Sequence, residues 1–416
     1  MLYTYRFRLY PNEEQKIYFS KCFGCTRFLW NHMLGDKIDY YKNNGKILNK
    51  EVTEYKKSYD FLKEVDSLAL ANVKRNLEKA YKDFFSGKSR FPKFKSKKRS
   101  RDSYTTNNQG GNIRIENSFI ILPKIKKVKI SLHRQIEGTI RRVTISRTKD
   151  YKEYYISILV DTEKDLKSLV PKTDNIIALD LGIKDLYTDS NGKKCPNNKF
   201  LKKSLDRIKF LHRSHSRKKI GSKNREKARI KLAKAYKKVT NQRQDYLHKV
   251  SKKLINENQV ICLETLSPKS MYKLGGKSDK YINRAVADTS LGTFIEMLKY
   301  KASMYGREIR VVDKYYPSSQ RCSSCGAINK GMKNLNQREL CCTCCGTIID
   351  RDYNAALNIL QECNKNNRRN DGVSLNILTI NSKIFDRSIT KDVISKISSL
   401  LGLSITQEAM YPLGSW

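Results

Sequence analysis

The sequence predicts a multidomain protein of the α+β class, and three observations lead to that prediction. Apolar residues recur at three- and four-residue spacing from Glu13 to about Phe85, which is typical of helices. Between Asn112 and Asp161 the apolar period changes to two, which indicates the strands of a small β domain. The 416-residue chain is long enough for roughly two or three domains, each with its own apolar core.

Taken in order, the elements suggest that a helical segment is inserted into the β domain. The first residues, Leu2 to Leu9, alternate like a strand, and we expect them to pair with the later β domain. Asn43-Asn44-Gly45 indicates a turn, and Asp66 to Phe85 predicts one amphipathic helix. The basic stretch Ser86 to Arg101, with its two interleaved phenylalanines, suits phosphate contact with base stacking, although a solvated linker has the same composition.

Beyond residue 171 the pattern becomes one of buried strands separated by helices. Apolar runs predict strands at Ile176 to Leu181, Gln259 to Leu263 and Glu308 to Val312. Between the first two, Lys202 to Ile255 is dominated by Lys and Arg and predicts one or two long basic helices. A further helix is predicted from Asn354.

Charge is the strongest compositional signal. The chain has 84 Lys+Arg against 41 Asp+Glu, a formal net charge of +43, which disfavours a compact state unless a polyanion neutralises it. Nucleic acid is the expected polyanion. A basic protein of the membrane surface would concentrate its charge beside an amphipathic or lipidated segment, whereas here the charge runs through most of the chain. No apolar run of about 18 residues and no signal-peptide pattern is present, so we expect a cytoplasmic, nucleoid-associated protein without membrane contact.

Cysteine spacing predicts a structural zinc site. Cys322 and Cys325 form one CxxC pair, and Cys342 and Cys345 form a second after sixteen intervening residues. Two such pairs complete a tetrahedron around one Zn²⁺ and leave no position open for catalysis. Cys341 and Cys344 offer a rival register, but only the pair 342/345 is followed by glycine, as the first pair is. The remaining CxxC pair, Cys22 and Cys25, lies in a helical pattern and is interpreted as packed thiols.

Three carboxylates predict a second metal site. Asp180 and Glu264 lie at the ends of predicted buried strands, and Asp352 precedes a predicted helix. Clustered carboxylates repel one another unless cations lie between them, and their hard oxygen atoms select Mg²⁺ or Mn²⁺. Two such ions activate a water and stabilise the leaving oxygen of a phosphodiester. None of the five histidines forms a pair suited to metal binding.

Taken together, these segments resemble a known family. ALDLGIKDL, ICLETL and DRDYNAALNI are similar to the split RuvC-like nuclease of TnpB (OrfB), a transposon-encoded RNA-guided endonuclease related to compact type V CRISPR effectors. The agreement extends to RFRLYPN, WNHML, NLEKAYKDFF, RFPKFK, NQRQDYLHK and YYPSSQRCSSCG. It runs from residue 1 to about 360 in the family's order, whereas the tail beyond Asn364 matches nothing firmly.

The resemblance implies a RuvC/RNase H-like nuclease domain with a zinc-ribbon insertion, together with an N-terminal wedge β-barrel that carries an inserted helical recognition domain. By position, Asp180, Glu264 and Asp352 match the catalytic, magnesium-binding acids of the family. The implied boundaries are 1–10 and 102–170 for the wedge, 11–101 for the recognition domain, 171–315 and 349–363 for the nuclease, 316–348 for the zinc finger and 364–416 for a C-terminal tail.

The resemblance also implies partners: a guide RNA and a double-stranded DNA target with a short target-adjacent motif, held by a monomeric ribonucleoprotein. The residues expected to contact nucleic acid are Lys74, Arg75, Arg90, Lys93, Lys95, Thr106, Asn107, Arg217, Lys218, Lys219 and Arg243. Three alternatives remain open at this point: a compact type V CRISPR effector, a DDE-type transposase, and an RNA-guided DNA-binding protein that does not cleave.

Overall fold

The computed structural model describes residues 1–148, 152–163, 165–265, 277–333 and 337–370. These residues fall into two compact units, the first ending at residue 163 and the second beginning at Asp165. Both units contain helices and strands, so the predicted α+β class is confirmed. Within the described part of the chain, no helix has the length and apolar character needed to cross a membrane.

The first unit is a seven-stranded antiparallel sheet with helices inserted after its first strand. Its order is β2-β6-β7-β1-β5-β4-β3. Because β1 pairs with β7 and β5, the predicted pairing of the N-terminal strand with the β domain is confirmed. The elements are β1 (Leu2–Tyr10), α1 (Glu13–Asn44), α2 (Val52–Ser58), α3 (Ser67–Phe85), β2 (Asp102–Asn107), β3 (Arg114–Glu116), β4 (Phe119–Leu122), β5 (Lys126–Ser131), β6 (Thr139–Arg147) and β7 (Tyr154–Asp161).

Local capping explains where these helices begin and end. Asn12 and Gln15 form a reciprocal capping box at the start of α1, and Gly45 ends that helix in a left-handed conformation (φ 65°). The side chain of Asp66 accepts a hydrogen bond from the Leu68 backbone and starts α3. Cys22 and Cys25 are buried in the core against which α1 packs, which confirms their interpretation as packed thiols.

The second unit is built on a five-stranded sheet of order β10-β9-β8-β11-β12. Strands β8, β11 and β12 are parallel, and β9 runs antiparallel to β8. Its elements are β8 (Ile176–Leu181), β9 (Asp185–Asp189), β10 (Lys194–Pro196), α4 (Phe200–Lys203), α5 (Leu205–Ser216), α6 (Lys223–Glu257), β11 (Val260–Glu264), α7 (Lys277–Thr289), α8 (Leu291–Tyr305), β12 (Glu308–Val312), β13 (Glu339–Cys341), β14 (Ile348–Asp350) and α9 (Arg351–Asn370).

Helices cover both faces of this sheet, which explains why its strands are continuous apolar runs. Side chains of α6 and α8 share one core with Leu179 and Leu263, whereas Ile359 and Cys363 of α9 share another with Ala178 and Cys262. Successive residues of a strand point to opposite faces. Asp180 and Glu264, two residues beyond Ala178 and Cys262, are therefore on the face covered by α9.

Candidate functional site

The three acids predicted from the sequence lie in the second unit, at one edge of its sheet. In the parallel pairing of β8 with β11, Leu179 is level with Leu263, and Asp180 and Glu264 are the next residues of the two strands. Both point toward α9, whose first turn contains Asp352. All three side chains are partly exposed, so a ligand can reach them from solvent.

Asp350 determines where α9 begins and thereby positions Asp352. One carboxylate oxygen of Asp350 accepts hydrogen bonds from the backbone nitrogens of Asp352 (3.1 Å) and Tyr353 (3.0 Å). Its other oxygen accepts one from Lys194 Nζ of β10 at 2.6 Å. The helix starts three residues earlier than the predicted Asn354, because Asp350 caps it.

The electrostatics of the cluster suit a divalent cation. Burial, together with the negative charges of Asp352 and Glu264, raises the pKa of Asp180 to about 7, while Arg351 acts in the opposite direction. Burial also raises the pKa of Glu264. A cation between the carboxylates would relieve this repulsion, and their hard oxygen atoms fit Mg²⁺ or Mn²⁺.

Asp350, in contrast, is stabilised in its charged form by the protein itself. Burial tends to raise the pKa of Asp350, but hydrogen bonds from Lys194 and from the start of α9 outweigh burial and hold it below its usual range. Lys194 was not predicted as part of the site, because nothing in the sequence indicates that β10 begins beside α9. A signal did exist for the hairpin that carries it: Asp189 accepts from the backbone nitrogens of Asn191 and Lys193, as its Asp-Ser-Asn-Gly turn suggests.

The second site is a cluster of four cysteines. The Sγ atoms of Cys322, Cys325, Cys342 and Cys345 all lie within 4.8 Å of one another. Two of the distances, Cys322–Cys345 and Cys325–Cys342, are 3.7 and 3.6 Å. Tetrahedral Zn–S bonds of roughly 2.3 Å place sulfurs about 3.8 Å apart, so the cluster has the dimensions and donors of a zinc site. Cys341 and Cys344 lie outside this cluster, which favours the register of Cys342 and Cys345.

Nearby polar groups orient the cysteine cluster and connect it to α9. The backbone nitrogen of Cys344 and the side-chain amide of Asn329 approach Cys342 Sγ at 3.4 and 3.7 Å, as donors around a metal-binding thiolate do. On α9, the side-chain amides of Asn354 and Asn358 donate to the Arg321 carbonyl at 2.7 and 2.6 Å. The cysteine segment is thus hydrogen-bonded to the helix that begins beside the carboxylates.

Some of the predicted nucleic-acid contacts in the second unit are exposed and one is not. Arg217, Lys218 and Lys219 are exposed in the connection between α5 and α6. Arg243, on α6, instead forms an ion pair with the buried Asp288 at 2.7 Å, and Asp288 also accepts from the backbone of α4. Contact between Arg243 and a phosphate would compete with this pair, so that contact stays a prediction.

The predicted nucleic-acid contacts of the first unit are likewise partly exposed and partly engaged within the protein. Arg75, Arg90 and Lys93 are exposed, whereas Lys74 forms ion pairs with Glu51 and Glu78. The ammonium of Lys95 lies 3.5 Å from the ring centroid of Trp30, and burial lowers the pKa of Lys95 to about 8.

Thr106 and Asn107, the expected base contacts, are engaged within the first unit. Thr106 is 1% exposed and donates to a carboxylate oxygen of Asp66. Asn107 accepts from the side-chain amide of Asn72 at 3.4 Å. Base contact by Thr106 would require its hydrogen bond to break, so this assignment also stays a prediction.

Three family models match the chain. Residues 157–275 match OrfB_IS605, described as "Probable transposase", and residues 292–359 match "Cas12f1-like, TNB domain", which spans the cysteine cluster. Residues 1–46 match a model described as "Helix-turn-helix domain". In this chain those residues form β1 and the single continuous helix α1.

Similar proteins cover most of the chain. A Streptomyces pristinaespiralis protein named "Putative RNA-guided DNA endonuclease" is 34% identical over 366 residues, 86% of this chain and 88% of the relative. Escherichia coli "Putative RNA-guided DNA endonuclease InsQ" is 30% identical over 377 residues, 86% and 92% of the two chains.

Among solved structures, the cryo-EM structure of a Cas12f1–sgRNA–target DNA complex aligns with a TM-score of 0.54 at 20% identity over 83% of this chain and 82% of that one, which shows a shared fold. The identity with these two relatives over 86% of the chain, and the OrfB_IS605 match, confirm the resemblance seen in the sequence and show that the chain belongs to the TnpB (OrfB) family.

Proposed function

We propose that this protein is an RNA-guided DNA endonuclease that hydrolyses phosphodiesters at the carboxylate cluster of Asp180, Glu264 and Asp352. The observation that carries the proposal is the convergence of three acids, distant in sequence, at one solvent-accessible edge of the second sheet. The names of the relatives and the fold shared with Cas12f1 support the choice of a guide RNA and target DNA as partners.

In this proposal, Mg²⁺ or Mn²⁺ is the cofactor of the cluster. When bound, the ions activate water and stabilise the leaving oxygen of the phosphodiester. Asp180, whose pKa is raised by burial and by the other two acids, would supply oxygen ligands to these ions together with Glu264 and Asp352. Asp350 and Lys194 hold the start of α9 in place, so that Asp352 keeps its position beside the strands.

We assign the second unit to a RuvC/RNase H-like nuclease, residues 171–315 and 349–363, with one structural Zn²⁺ held by the four cysteines of the 316–348 insertion. Three parallel strands, two of which carry Asp180 and Glu264 at their carboxyl ends, support the first assignment, and the donor set and sulfur spacing support the second. The antiparallel sheet of the first unit supports a wedge β-barrel (1–10 and 102–170) with a recognition segment (11–101) inserted after β1. We expect one protein chain per guide RNA.

The proposal is tested by cleavage with the RNA that co-purifies with the protein. Asp180→Asn preserves side-chain size but removes the charge, so we expect the cleavage rate to fall by at least about a hundredfold, while guide-directed DNA binding persists. The matched control is Asp185→Asn, which removes a nearby carboxylate outside the cluster. Cleavage by the Asp180→Asn protein at the rate of the unmodified protein would refute the assignment.

A second candidate, DNA strand transfer, is favoured by one observation, the description "Probable transposase" of the matching family model. The same carboxylates and ions would serve that chemistry. The two are separated by products: hydrolysis leaves free ends, whereas strand transfer joins the cut end to a second DNA without added ligase. Requirement for a guide RNA in the same assay supports the endonuclease.

A further inference from the structure

The edge of the sheet that carries the acids also carries an exposed aromatic ring. Strand β12 runs parallel to β11, and its last residue, Val312, is level with Glu264. The chain then turns at once: the backbone nitrogen of Tyr316 donates to the carbonyl of Asp313 at 3.2 Å. Tyr315 occupies the third position of this turn, three residues beyond the level of Glu264.

The turn is fixed by a hydrogen bond to its own Asp313 and by the packing of Tyr316. A carboxylate oxygen of Asp313 accepts from the Tyr315 backbone nitrogen at 2.7 Å, as in an Asx turn. Tyr316 is half-buried, packs against the core shared by Cys262 and Ile359, and its hydroxyl donates to the Asn358 carbonyl of α9 at 3.4 Å. The turn is therefore attached to the helix whose first turn contains Asp352.

Two adjacent tyrosines thus have opposite environments. Tyr316 anchors the turn, whereas Tyr315 is 84% exposed. The ammonium of Lys314 lies 5.5 Å from the centroid of the Tyr315 ring and adds positive charge beside it. An exposed ring next to a cation, at the rim of a site for phosphodiesters, is the combination that binds single-stranded nucleic acid.

We propose that Tyr315 stacks on an unpaired base of the DNA strand that is being cut, and so positions the adjacent phosphodiester over the carboxylate cluster. This inference rests on the proposed endonuclease function. The ligand is an unpaired nucleotide, because the faces of paired bases in a duplex are covered by their neighbours and only a base released from the stack offers its face to a side chain. It is DNA rather than guide RNA, because the cluster beside the ring acts on the DNA strand.

The first arm of the test uses variants of Tyr315. Tyr315→Ala should lower the single-turnover cleavage rate about tenfold, within the range that one stacked base contributes, whereas Tyr315→Phe, which keeps the ring, should stay within about twofold of the unmodified protein. Tyr300→Ala, which removes a partly exposed tyrosine of α8 on the opposite side of the sheet, is the matched control. Guide-directed DNA binding, measured separately, should be unchanged in all three.

The second arm leaves the protein unmodified and changes the DNA. Single abasic sites are scanned along the strand around the cut; one position should slow cleavage as much as Tyr315→Ala does, and should cause no additional loss in the Tyr315→Ala protein. Unchanged cleavage by Tyr315→Ala, or fully additive losses at every abasic position, would overturn the inference.

Failure of the inference and failure of the proposed function can be told apart. If Asp180→Asn abolishes cleavage while Tyr315→Ala cleaves normally, the endonuclease assignment stands and the stacking site does not. If Asp180→Asn still cleaves, the carboxylate assignment fails. In that case stacking is measured separately, by placing the fluorescent base 2-aminopurine at the position where an abasic site slows cleavage. Its fluorescence should be quenched in the unmodified protein and in Tyr315→Phe, and the quenching should be lost in Tyr315→Ala.

Discussion

The carboxylate cluster and the cysteine cluster both gather like-charged donors, but they do so over very different lengths of chain. The cysteines come from two short turns that lie within 24 residues, Cys322 to Cys345, and their sulfurs are all within 4.8 Å. The acids come from two strands and a helix, and reach one another only because β8 and β11 align and α9 packs on them.

This difference predicts that the two clusters respond differently to the loss of metal. The cysteine segment has a small core of its own, with Leu340 beside Cys322 and Cys342, so that its metal contributes directly to its folding. The carboxylates are held by a large sheet, and their burial and mutual repulsion are expressed instead as the raised pKa of Asp180. The first cluster should therefore report metal loss as unfolding, the second as altered protonation.

The largest expected effect is at the cysteines. Cys342→Ser replaces a buried thiolate by a poor zinc ligand, so zinc should fall from about one ion per chain to near zero and the midpoint of thermal unfolding should drop. Cys341→Ser, one residue away but outside the cluster, is the matched control and should retain its zinc. Metal content measured on purified protein checks this, and equal zinc loss in both variants would contradict the register.

The next effect is the pH dependence of the carboxylate cluster. The pKa of Asp180 is raised from 3.8 to about 7 in the folded, metal-free protein, so folding takes up a proton between these values. Without divalent ions, the contribution of this group to stability is full below about pH 4 and is lost as the pH rises toward 7. Relative to Asp180→Asn, the unmodified protein should thus become less stable from pH 5 to pH 8.

Divalent ions should reverse that trend, because they must displace the proton. The apparent affinity for Mg²⁺ should fall up to about tenfold for each pH unit below 7. Thermal unfolding without and with added Mg²⁺, at matched ionic strength and equal zinc content and without a chelator that would strip the cysteine cluster, checks both directions. A stability difference from Asp180→Asn that does not change with pH would show that the cluster does not hold a proton near neutrality.

The smallest expected effect concerns the ion pair beside the cluster. Lys194→Met removes the partner of Asp350 and loosens the start of α9, but a partly exposed ion pair contributes little, so cleavage should slow by at most about fivefold. Lys194→Arg should largely restore the rate. Lys193→Met removes the same charge from the same hairpin without touching Asp350 and should cleave normally; equal effects at both lysines would mean that only net charge matters.

Much of the architecture was predictable because it depends on neighbours in sequence. Alternation and apolar runs located Ile176–Leu181 and Glu308–Val312, and caps such as Asp66 and Gly45 mark helix ends. The start of α9 was predicted three residues late, although Asp350, which caps it, lies one residue before the helix. The partner of that cap, Lys194, is far away in sequence and was not predictable.

Burial of individual polar residues was less predictable. Thr106 and Arg243 were expected to contact nucleic acid, whereas Thr106 bonds to Asp66 and Arg243 pairs with Asp288. Both partners lie about forty residues away in sequence, so no local pattern indicates them. Tyr315 and Tyr316 show the same limit of sequence-based prediction. They are adjacent and of one type, yet Tyr315 is exposed and Tyr316 packs against the core.

By itself, the sequence determined the chemistry available to this protein: a +43 chain, four thiols at zinc-ligand spacing, and acids at the ends of apolar strands. Those features depend on residue type and on spacing over one or two turns, where backbone geometry leaves few choices. Only the tertiary structure decided that Asp180 lies beside Glu264 and faces α9, and that Cys342 rather than Cys341 joins the cluster. Such outcomes follow from strand register and packing between distant segments, which short stretches of sequence do not specify.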